Sequence, residues 1–310
     1  MEPQKTLTPA AWAELMLLAL IWGGSFLANR LALNEVGVFT TVAIRVSVAC
    51  VVLWAVVAAR GLGLPRAPRI WMAFLVMGAL NNAIPFTLIT WGQLTIPSGL
   101  AAIFNASTAV MGVLVAALLF RDERLTGSRL AGVLLGLAGV IVVIGPEALT
   151  TLNLTSVSQL ALLGAALSYA LAAVWARKRL RGLPPQVAAA GMLTASSLIM
   201  LPLALWYDGL PVWHHSAQTW GALAYMALVS TAGAYLLYYR VLAVAGAGNL
   251  SLVTLLTAPF AILLGALVLD EVLPLRAWPG FALIATGLLV IDGRILPRRK
   301  IPRELSGPGR

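Results

Sequence analysis

The sequence is divided into apolar blocks of about 20 residues by short polar connections, and this spacing is its strongest constraint on folding. A helix needs about 20 apolar residues to cross the hydrocarbon core of a bilayer. Hydrophobic residues make up 60% of the 310-residue chain and charged residues only 10%, which does not suit a water-exposed surface. The pattern therefore predicts an all-α polytopic membrane protein.

Ten blocks are long enough to be transmembrane helices. We place them at residues 12–33, 38–59, 70–92, 97–119, 128–145, 157–176, 185–206, 218–239, 247–268 and 277–293. The first block is longer than the apolar core of a typical signal peptide, so we expect it to be retained as a span. The single cysteine, Cys50, lies inside a block, which excludes an intrachain disulfide and a multi-cysteine metal site.

The distribution of lysine and arginine predicts the orientation of these spans. With ten spans the two termini share one side of the membrane, and all but three of the 21 basic residues fall in segments of that side. Arg30 and Arg276 lie in the opposite segments, and Arg45 lies within the second span. Because basic segments stay in the cytoplasm during insertion, we predict a multi-pass protein of the cell (inner or plasma) membrane with both termini cytoplasmic. The net charge of +10 thus reflects topology, and nucleic-acid binding is not expected.

A shift of 148 positions superimposes the two halves of the sequence. It places Asp122-Glu123 on Asp270-Glu271, Leu125 on Leu273, Gly132 on Gly280, Gly139 on Gly287 and Gly145 on Gly293. The repeat predicts a first five-helix unit at residues 1–146, a second at 147–294 and a basic cytoplasmic tail at 295–310. Since five is odd, the second unit must enter the membrane inverted, as in many secondary transporters with a midplane site between two halves.

Several short motifs resemble the EamA-type branch of the drug/metabolite transporter superfamily. They are Ala19-Leu20-Ile21-Trp22-Gly23-Gly24-Ser25-Phe26, Arg45, and the turns Asp122-Glu123-Arg124-Leu125 and Asp270-Glu271-Val272-Leu273. The resemblance extends over residues 10–295, and among members the chain is most similar to YddG-type amino-acid exporters. The resemblance implies ten helices around a central cavity lined mainly by spans 1–4 and 6–9, with spans 5 and 10 supporting them.

Ionisable residues are scarce within the predicted spans. No aspartate or glutamate lies in the middle of a span, and Glu14 lies in the first turn of span 1, where it can reach water. A proton-carrying carboxylate is therefore not apparent, which favours facilitated diffusion or exchange. Glu123 and Glu271 each precede a helix, span 5 or span 10, and we assign them to helix capping and docking.

Arg45 has two interpretations. It lies about seven residues into span 2, roughly 10 Å below the outer end at 1.5 Å per residue. Its long side chain can reach towards the headgroups or satisfy helix-end carbonyls, which are structural roles. Alternatively it faces the cavity and contacts a substrate carboxylate.

Uncharged polar and aromatic residues near the middle of the spans are the substrate-binding candidates, because an unpaired polar group must face another helix or a wet cavity. These candidates are Trp22, Ser25, Asn81, Asn82, Asn105, Tyr169, Tyr235 and Thr254. Packing between helices is the alternative for each. Pro85 and Pro259 are candidate hinges, since proline removes a backbone donor within a helix. The glycines of spans 5 and 10 allow close helix contact, within one molecule or between two.

Amides and aromatic faces with few charges suit a neutral or zwitterionic solute. We therefore expect a secondary transporter that moves small organic solutes by alternating access, and within that class an exporter of aromatic or neutral amino acids. Other metabolites or drugs, such as nucleosides or cationic drugs, and a channel are the alternatives. The sequence has no HExxH motif, paired intramembrane aspartates or nucleophile–histidine pair, so an enzyme, a metal site and a cofactor are not expected. The expected partners are the substrate and the lipid bilayer; the oligomeric state is open.

Overall fold

The computed structural model describes residues 8–119, 127–145, 154–180, 182–245, 250 and 252–291. Within these ranges every regular element is helical. The helices are α1 (Pro9–Ala32), α2 (Val38–Ala59), α3 (Pro68–Gly92), α4 (Ser98–Leu119), α5 (Gly127–Ile144), α6 (Leu154–Arg179), α7 (Pro185–Tyr207), α8 (Ala217–Ala245), α9 (Leu252–Leu269) and α10 (Ala277–Ile291). Glu123, the predicted unit boundary at 146/147 and the tail at 295–310 lie outside the described residues.

Helix length and composition in the described ranges agree with a membrane protein. Eight helices are long and apolar enough to cross a bilayer, while α5 and α10 contribute shorter apolar segments, Leu130–Ile144 and Ala277–Ile291. The ends follow local sequence signals. Thr8 caps α1 by accepting a hydrogen bond from the backbone N–H of Ala11 (3.2 Å), and Pro9 starts the helix because its missing N–H is not needed there.

Each main packing partner comes from the opposite half of the chain. Helix α1 packs on α9, α2 on α7, α5 on α10, and α6 on α4. In addition, α8 packs on α1 and α2, while α3 packs on α6 and α7. The helices therefore form two groups, α1/α8/α9 and α3/α4/α6, which meet where α9 packs on α4, with the α2/α7 and α5/α10 pairs beside them.

The α5/α10 pair depends on glycine. A Cβ atom on Gly139 would lie 2.7 Å from the carbonyl oxygen of Gly280, and one on Gly132 would lie 2.6 Å from that of Gly287. Such distances are shorter than any normal carbon–oxygen contact, so these positions require glycine. The matched glycines of the repeat thus join two helices of one molecule.

Two helices contain a segment of π-helix, in which the turn is widened by one residue. The first is Ala79–Ala83 in α3, and the second is Tyr225–Gly233 in α8. The 148-residue shift places the first segment on residues 227–231, inside the second. The causes differ: Pro85 cannot donate a backbone hydrogen bond in α3, whereas Ser230 and Thr231 both donate side-chain hydrogen bonds to the carbonyl of Met226 in α8 (3.1 and 2.7 Å). π-Segments within α-helices are frequent at functional sites.

We call the end at which α1 begins the inner end and the opposite end the outer end. Helix α8 continues to Ala245, six residues beyond the predicted end of its span. Arg240 lies in this extension and forms an ion pair with Glu14 of α1 (2.7 Å). The helix therefore extends beyond the apolar block, and the charge of Arg240 in this extension is paired with that of Glu14 at the inner end.

Candidate functional site

A polar cluster links the two groups of helices at the first π-segment. The amide of Asn81 donates to the hydroxyl of Tyr235 (3.1 Å), which in turn donates to the side-chain oxygen of Asn82 (2.7 Å). The asparagines belong to α3 and the tyrosine to α8, so three of the predicted binding residues meet although they are far apart in sequence. Asn82 is fully buried, whereas Asn81 and Tyr235 are half-buried.

Serines from two other helices hold this π-segment in place. Asn82 donates its amide to the hydroxyl of Ser196 in α7 (3.0 Å). Ser168 in α6 donates to the carbonyl of Leu80 (2.7 Å), a backbone group that the π-turn releases from the regular helical pattern. Every polar group of such a turn must be satisfied within the protein, because lipid offers no partner.

Arg45 is buried in α2, with 9% of its surface exposed. Its Nε donates to the hydroxyl of Thr231 in the second π-segment (2.9 Å), and its guanidinium carbon lies 3.8 Å from the ring centroid of Phe86. In the described part of the chain, no carboxylate forms an ion pair with it. Tyr169 and Tyr235 lie in the surroundings of the guanidinium, which adds Tyr169 to the predicted residues near the site.

The two π-segments make equivalent contacts across the halves. Helix α2 reaches the π-segment of α8 through Arg45 and Thr231, and α7 reaches that of α3 through Ser196 and Asn82. Ser196 lies 151 positions after Arg45, within one turn of the 148-residue repeat. The site is therefore a pseudo-symmetric contact between the two halves, with the cation of Arg45 at the second π-segment and the amides of Asn81 and Asn82 at the first.

The remaining predicted residues lie on other helices, α1, α4 and α9. Trp22 packs against Tyr238, with ring centroids 5.9 Å apart, and Ser25 is buried in α1. The side-chain oxygen of Asn105 is buried without a hydrogen-bond partner among the described residues. Thr254 is half-buried in α9.

The two candidate hinges have different surroundings. Pro85 is buried directly after the first π-segment. Pro259 lies inside α9, in the turn where a Cβ atom on Gly23 of α1 would lie 3.1 Å from the carbonyl oxygen of Thr257. Pro85 therefore borders the polar cluster, whereas Pro259 lies at a close helix contact.

A cavity of about 640 Å³ lies at the inner end, between the end of α2, the start of α7 and the inner half of α8. Its walls include Arg60, Gln186, Tyr239 and Arg240. Tyr239 is one helical turn below Tyr235 in α8, so the cavity wall ends within about one turn of the polar cluster.

The outer end is bridged by a buried amide network that the sequence did not predict. Asn29 of α1 donates to the side-chain oxygen of Gln93 (2.7 Å) and accepts from the hydroxyl of Thr90 (3.0 Å), while Gln93 donates to the carbonyl of Phe26 (2.9 Å). All three polar side chains are at most 3% exposed. The network ties α1 to the end of α3, and its only sequence signal is the presence of amides at the ends of apolar blocks.

Glu271 binds a helix start at the same end, which agrees with the expected role in helix capping and docking but involves a different helix. The sequence places it beside the helix that follows it, α10. Instead its carboxylate accepts hydrogen bonds from the backbone N–H of Ser98 (2.9 Å), the hydroxyl of Ser98 (2.6 Å) and the N–H of Gly99 (3.3 Å), at the start of α4. The reason is that the turn after α9 places the side chain against the helix of the opposite half.

Comparisons with known proteins agree with this architecture. The EamA-like transporter family matches twice, at residues 11–145 and 157–292. A probable terminal-alkyne amino-acid exporter of Streptantibioticus cattleyicolor is 31% identical over 98% of this chain and 99% of its own length. A probable amino-acid metabolite efflux pump of Escherichia coli K12 is 26% identical over 89% of this chain and 92% of its own.

A solved crystal structure supports the fold alone. It superimposes with a TM-score of 0.65 at 22% identity, covering 91% of this chain and 97% of that one. This likeness and the paired family match confirm the predicted fold class, ten helices in two repeats. The family resemblance found in the sequence is confirmed as well: the chain belongs to the EamA-like transporter family.

Proposed function

We propose that this transporter exports amino acids, chiefly neutral or aromatic ones, across the cell membrane by alternating access, with both termini in the cytoplasm. The names of two relatives that align along nearly the whole chain, an amino-acid exporter and an amino-acid metabolite efflux pump, support the substrate class. The basic residues at the inner end support the orientation.

The observation that carries the proposal is Arg45. A buried arginine is costly unless an anion or several acceptors compensate its charge. Here the described residues offer one hydroxyl, from Thr231, and one aromatic face, from Phe86. A substrate carboxylate can supply the missing anion, and the planar guanidinium can bind it through two parallel hydrogen bonds.

The surroundings of Arg45 suit the rest of a neutral amino acid. The hydroxyls of Tyr169 and Tyr235 and the amide of Asn81 offer neutral donors and acceptors, and their aromatic faces suit an apolar side chain. The described part of the polar cluster carries no second cation, so it does not favour a phosphorylated solute.

The arrangement of the two ends supports export by alternating access. The inner cavity leads towards the polar cluster from the proposed cytoplasmic side, while the amide network and Glu271 bridge the outer end. In alternating access, the two helix groups rock so that one end closes as the other opens. This conformation therefore corresponds to loading from the cytoplasm.

Transport is proposed to proceed by facilitated diffusion or exchange. Glu14 of α1 forms an ion pair with Arg240 at the inner end and does not belong to the polar cluster. A proton-coupled exporter would require a carboxylate at the central polar cluster around Arg45 and Asn81, and the described part of that cluster contains none. Collapse of an imposed pH gradient with fixed stoichiometry during transport in proteoliposomes would exclude this part of the proposal.

The test of the substrate class is competition in proteoliposomes containing the purified protein. Uptake of labelled phenylalanine is measured against a panel of amino acids, nucleosides, sugar phosphates and cationic drugs. We expect only amino acids to compete. Inhibition by the drugs alone would contradict the proposal.

The role of Arg45 is tested in the same assay. Removing a charged hydrogen bond costs about 1.5–3 kcal/mol, so Arg45→Gln is expected to weaken phenylalanine binding about 10- to 150-fold. Arg45→Lys should restore little, because lysine cannot form the two-point contact. Arg66→Gln, which changes an exposed arginine outside the helices, is the matched control and should have no effect. Full activity of Arg45→Lys would indicate a structural arginine.

A further inference from the structure

A second, smaller cavity of about 290 Å³ lies at the outer end. It is formed by the end of α1, the connection between α3 and α4, and the end of α9 with the turn that follows. Its volume lies near the lower limit of small-molecule sites, which hold roughly 300–1,000 Å³. Because α1 and α9 belong to one helix group and α3 and α4 to the other, the cavity marks the outer mouth of the cleft between the groups.

The cavity has a cation and an anion on its walls. Arg30 uses Nη1 to donate to the backbone carbonyls of Gln93 (2.7 Å) and Leu94 (3.3 Å). Glu271 accepts hydrogen bonds at the start of α4, as described above. Each charge is held by neutral groups across the cleft, and the two do not form an ion pair with each other in the described structure.

We propose that this outer cavity is an exit site that binds an amino acid by both charged groups, with Arg30 contacting the carboxylate and Glu271 the ammonium. This inference rests on the proposed function and specifies the substrate class as zwitterions. It also assigns to Glu271 a ligand contact in addition to its contact with α4.

The same two side chains hold the outer end closed, so substrate binding and opening are coupled. A carboxylate is a stronger acceptor for Arg30 than the neutral carbonyls of Gln93 and Leu94. An ammonium group is likewise a stronger donor to Glu271 than a backbone N–H. A zwitterion replaces both bridges across the cleft, whereas a solute with one charged group replaces only one. The exit site thereby selects for molecules that carry both charges.

The experiment compares the two faces of the transporter in proteoliposomes of uniform orientation. The KM for phenylalanine is measured separately from the outer and the inner face. Phenylalaninamide and 3-phenylpropionate, each of which lacks one of the two charges, serve as outer-face competitors. We expect both to compete at least tenfold more weakly than phenylalanine at the outer face.

The variants Arg30→Gln and Glu271→Gln are expected to raise the outer KM about tenfold or more and to change the inner KM less than twofold. Asn34→Phe narrows the cavity from its rim without removing either charge and should likewise raise the outer KM but not the inner KM. This variant still tests the exit site if Glu271→Gln fails to fold. Glu35→Gln is the matched control. Glu35 also binds the start of a helix at the outer end, through the N–H of Ser216, but does not line the cavity.

The possible outcomes separate this inference from the proposed function. If wild-type protein moves phenylalanine but the variants raise both KM values equally, or Glu35→Gln matches Glu271→Gln, the outer cavity is only a closure. Equal competition by the singly charged analogues also overturns the exit site. Absence of any amino-acid transport by the wild type contradicts the proposed function, and with it this inference.

Discussion

The outer and inner ends of the molecule are built from the same repeat but differ in charge. At the outer end, three carboxylates bind the starts of helices that belong to other segments. Asp208 accepts from the N–H of Thr40 in α2 (2.6 Å), Glu35 from that of Ser216 before α8 (2.8 Å), and Glu271 from that of Ser98 in α4. A carboxylate is favourable there because the first N–H groups of a helix are unpaired and its dipole is positive.

The inner end carries arginine where the outer end carries aspartate. Arg60 and Asp208 are 148 positions apart, so they occupy equivalent places at the ends of α2 and α7. Asp208 binds the start of α2, but a cation cannot accept hydrogen bonds from the start of α7. Helix α7 begins at Pro185 without a side-chain cap, and the inner cavity lies beside it.

This difference shows how topology can determine conformation. In the proposed orientation, insertion keeps basic residues at the inner end, and Arg60 occupies the place at which Asp208 binds the start of α2 at the outer end. The outer end is free of that constraint: Glu271 joins the two helix groups, while Glu35 joins α1 to α8 and Asp208 joins α7 to α2. We infer that the repeat alone would allow either end to close and that the asymmetric charges favour the conformation closed at the outer end.

The largest expected effect comes from breaking the outer amide network. Gln93→Leu leaves the buried amide of Asn29 without its acceptor, and an unsatisfied buried group costs about 1–3 kcal/mol. The outer end should open more often. Labelling of Ser25→Cys by an impermeant maleimide from outside, in a Cys50→Ala background, should accelerate about 5- to 150-fold.

The control for this experiment is Gln186→Leu, which changes an amide on the wall of the inner cavity. It should leave outer labelling unchanged. If Gln93→Leu also had no effect, the amide network would not hold the outer end closed, and the comparison between the ends would rest on the carboxylates alone.

Removing the carboxylate of Asp208 should have a smaller effect. Loss of a side-chain cap costs about 0.5–2 kcal/mol, so Asp208→Ala is expected to lower the thermal unfolding temperature of the purified protein. Arg60→Ala, at the equivalent inner position, should lower it much less because no helix start is bound there. Equal shifts for the two variants would contradict the assigned difference between the ends.

Arg60→Asp tests whether a carboxylate can close the inner end. An acid beside the start of α7 gains about 0.3–1 kcal/mol from the helix dipole. Maleimide labelling of Leu236→Cys from the inner side, again in a Cys50→Ala background, should slow about two- to fivefold. Arg60→Gln separates the gain of an acid from the loss of the arginine, and an identical slowing in this variant would refute the carboxylate explanation.

The sequence predicts the helices better than it predicts the site. Hydrophobic length and the 148-residue repeat predict the number of helices and their arrangement as two repeats, because each apolar block must cross the membrane. The matched glycines predict a close helix contact, but they leave open whether it lies within one molecule. The polar candidates near mid-span were also visible, and Asn81, Asn82 and Tyr235 do meet. Which helix each one faces depends on packing between the halves, so their pairing could not be read from sequence.

The outer closures show this limit most clearly. Gln93 ends an apolar block and looks like an ordinary helix-end residue, yet it is fully buried against α1. Glu271 was assigned to the adjacent helix, because local sequence favours local capping. Both side chains act across the cleft, and only the three-dimensional arrangement of the two halves reveals their partners.

The smallest expected effect concerns the pH dependence of the Glu35 bridge. Hydrogen bonds from the side chain and the backbone N–H of Ser216 lower the pKa of Glu35 below its usual 4.5. Because folding lowers this pKa, the bridge contributes fully to stability above the usual pKa of 4.5. Its contribution is lost as the outer pH falls through the lower pKa of the folded protein. Ser216→Ala should therefore raise the pKa of Glu35 towards 4.5, so that the bridge is lost at a higher pH.

The carboxyl resonances of ¹³C-labelled glutamate report this titration. Ser98→Ala, which removes a hydroxyl bound to Glu271, is the control and should leave the Glu35 resonance unchanged. An unaltered titration in Ser216→Ala would show that another group stabilises the charged carboxylate, His215 at 3.5 Å being the nearest cationic candidate.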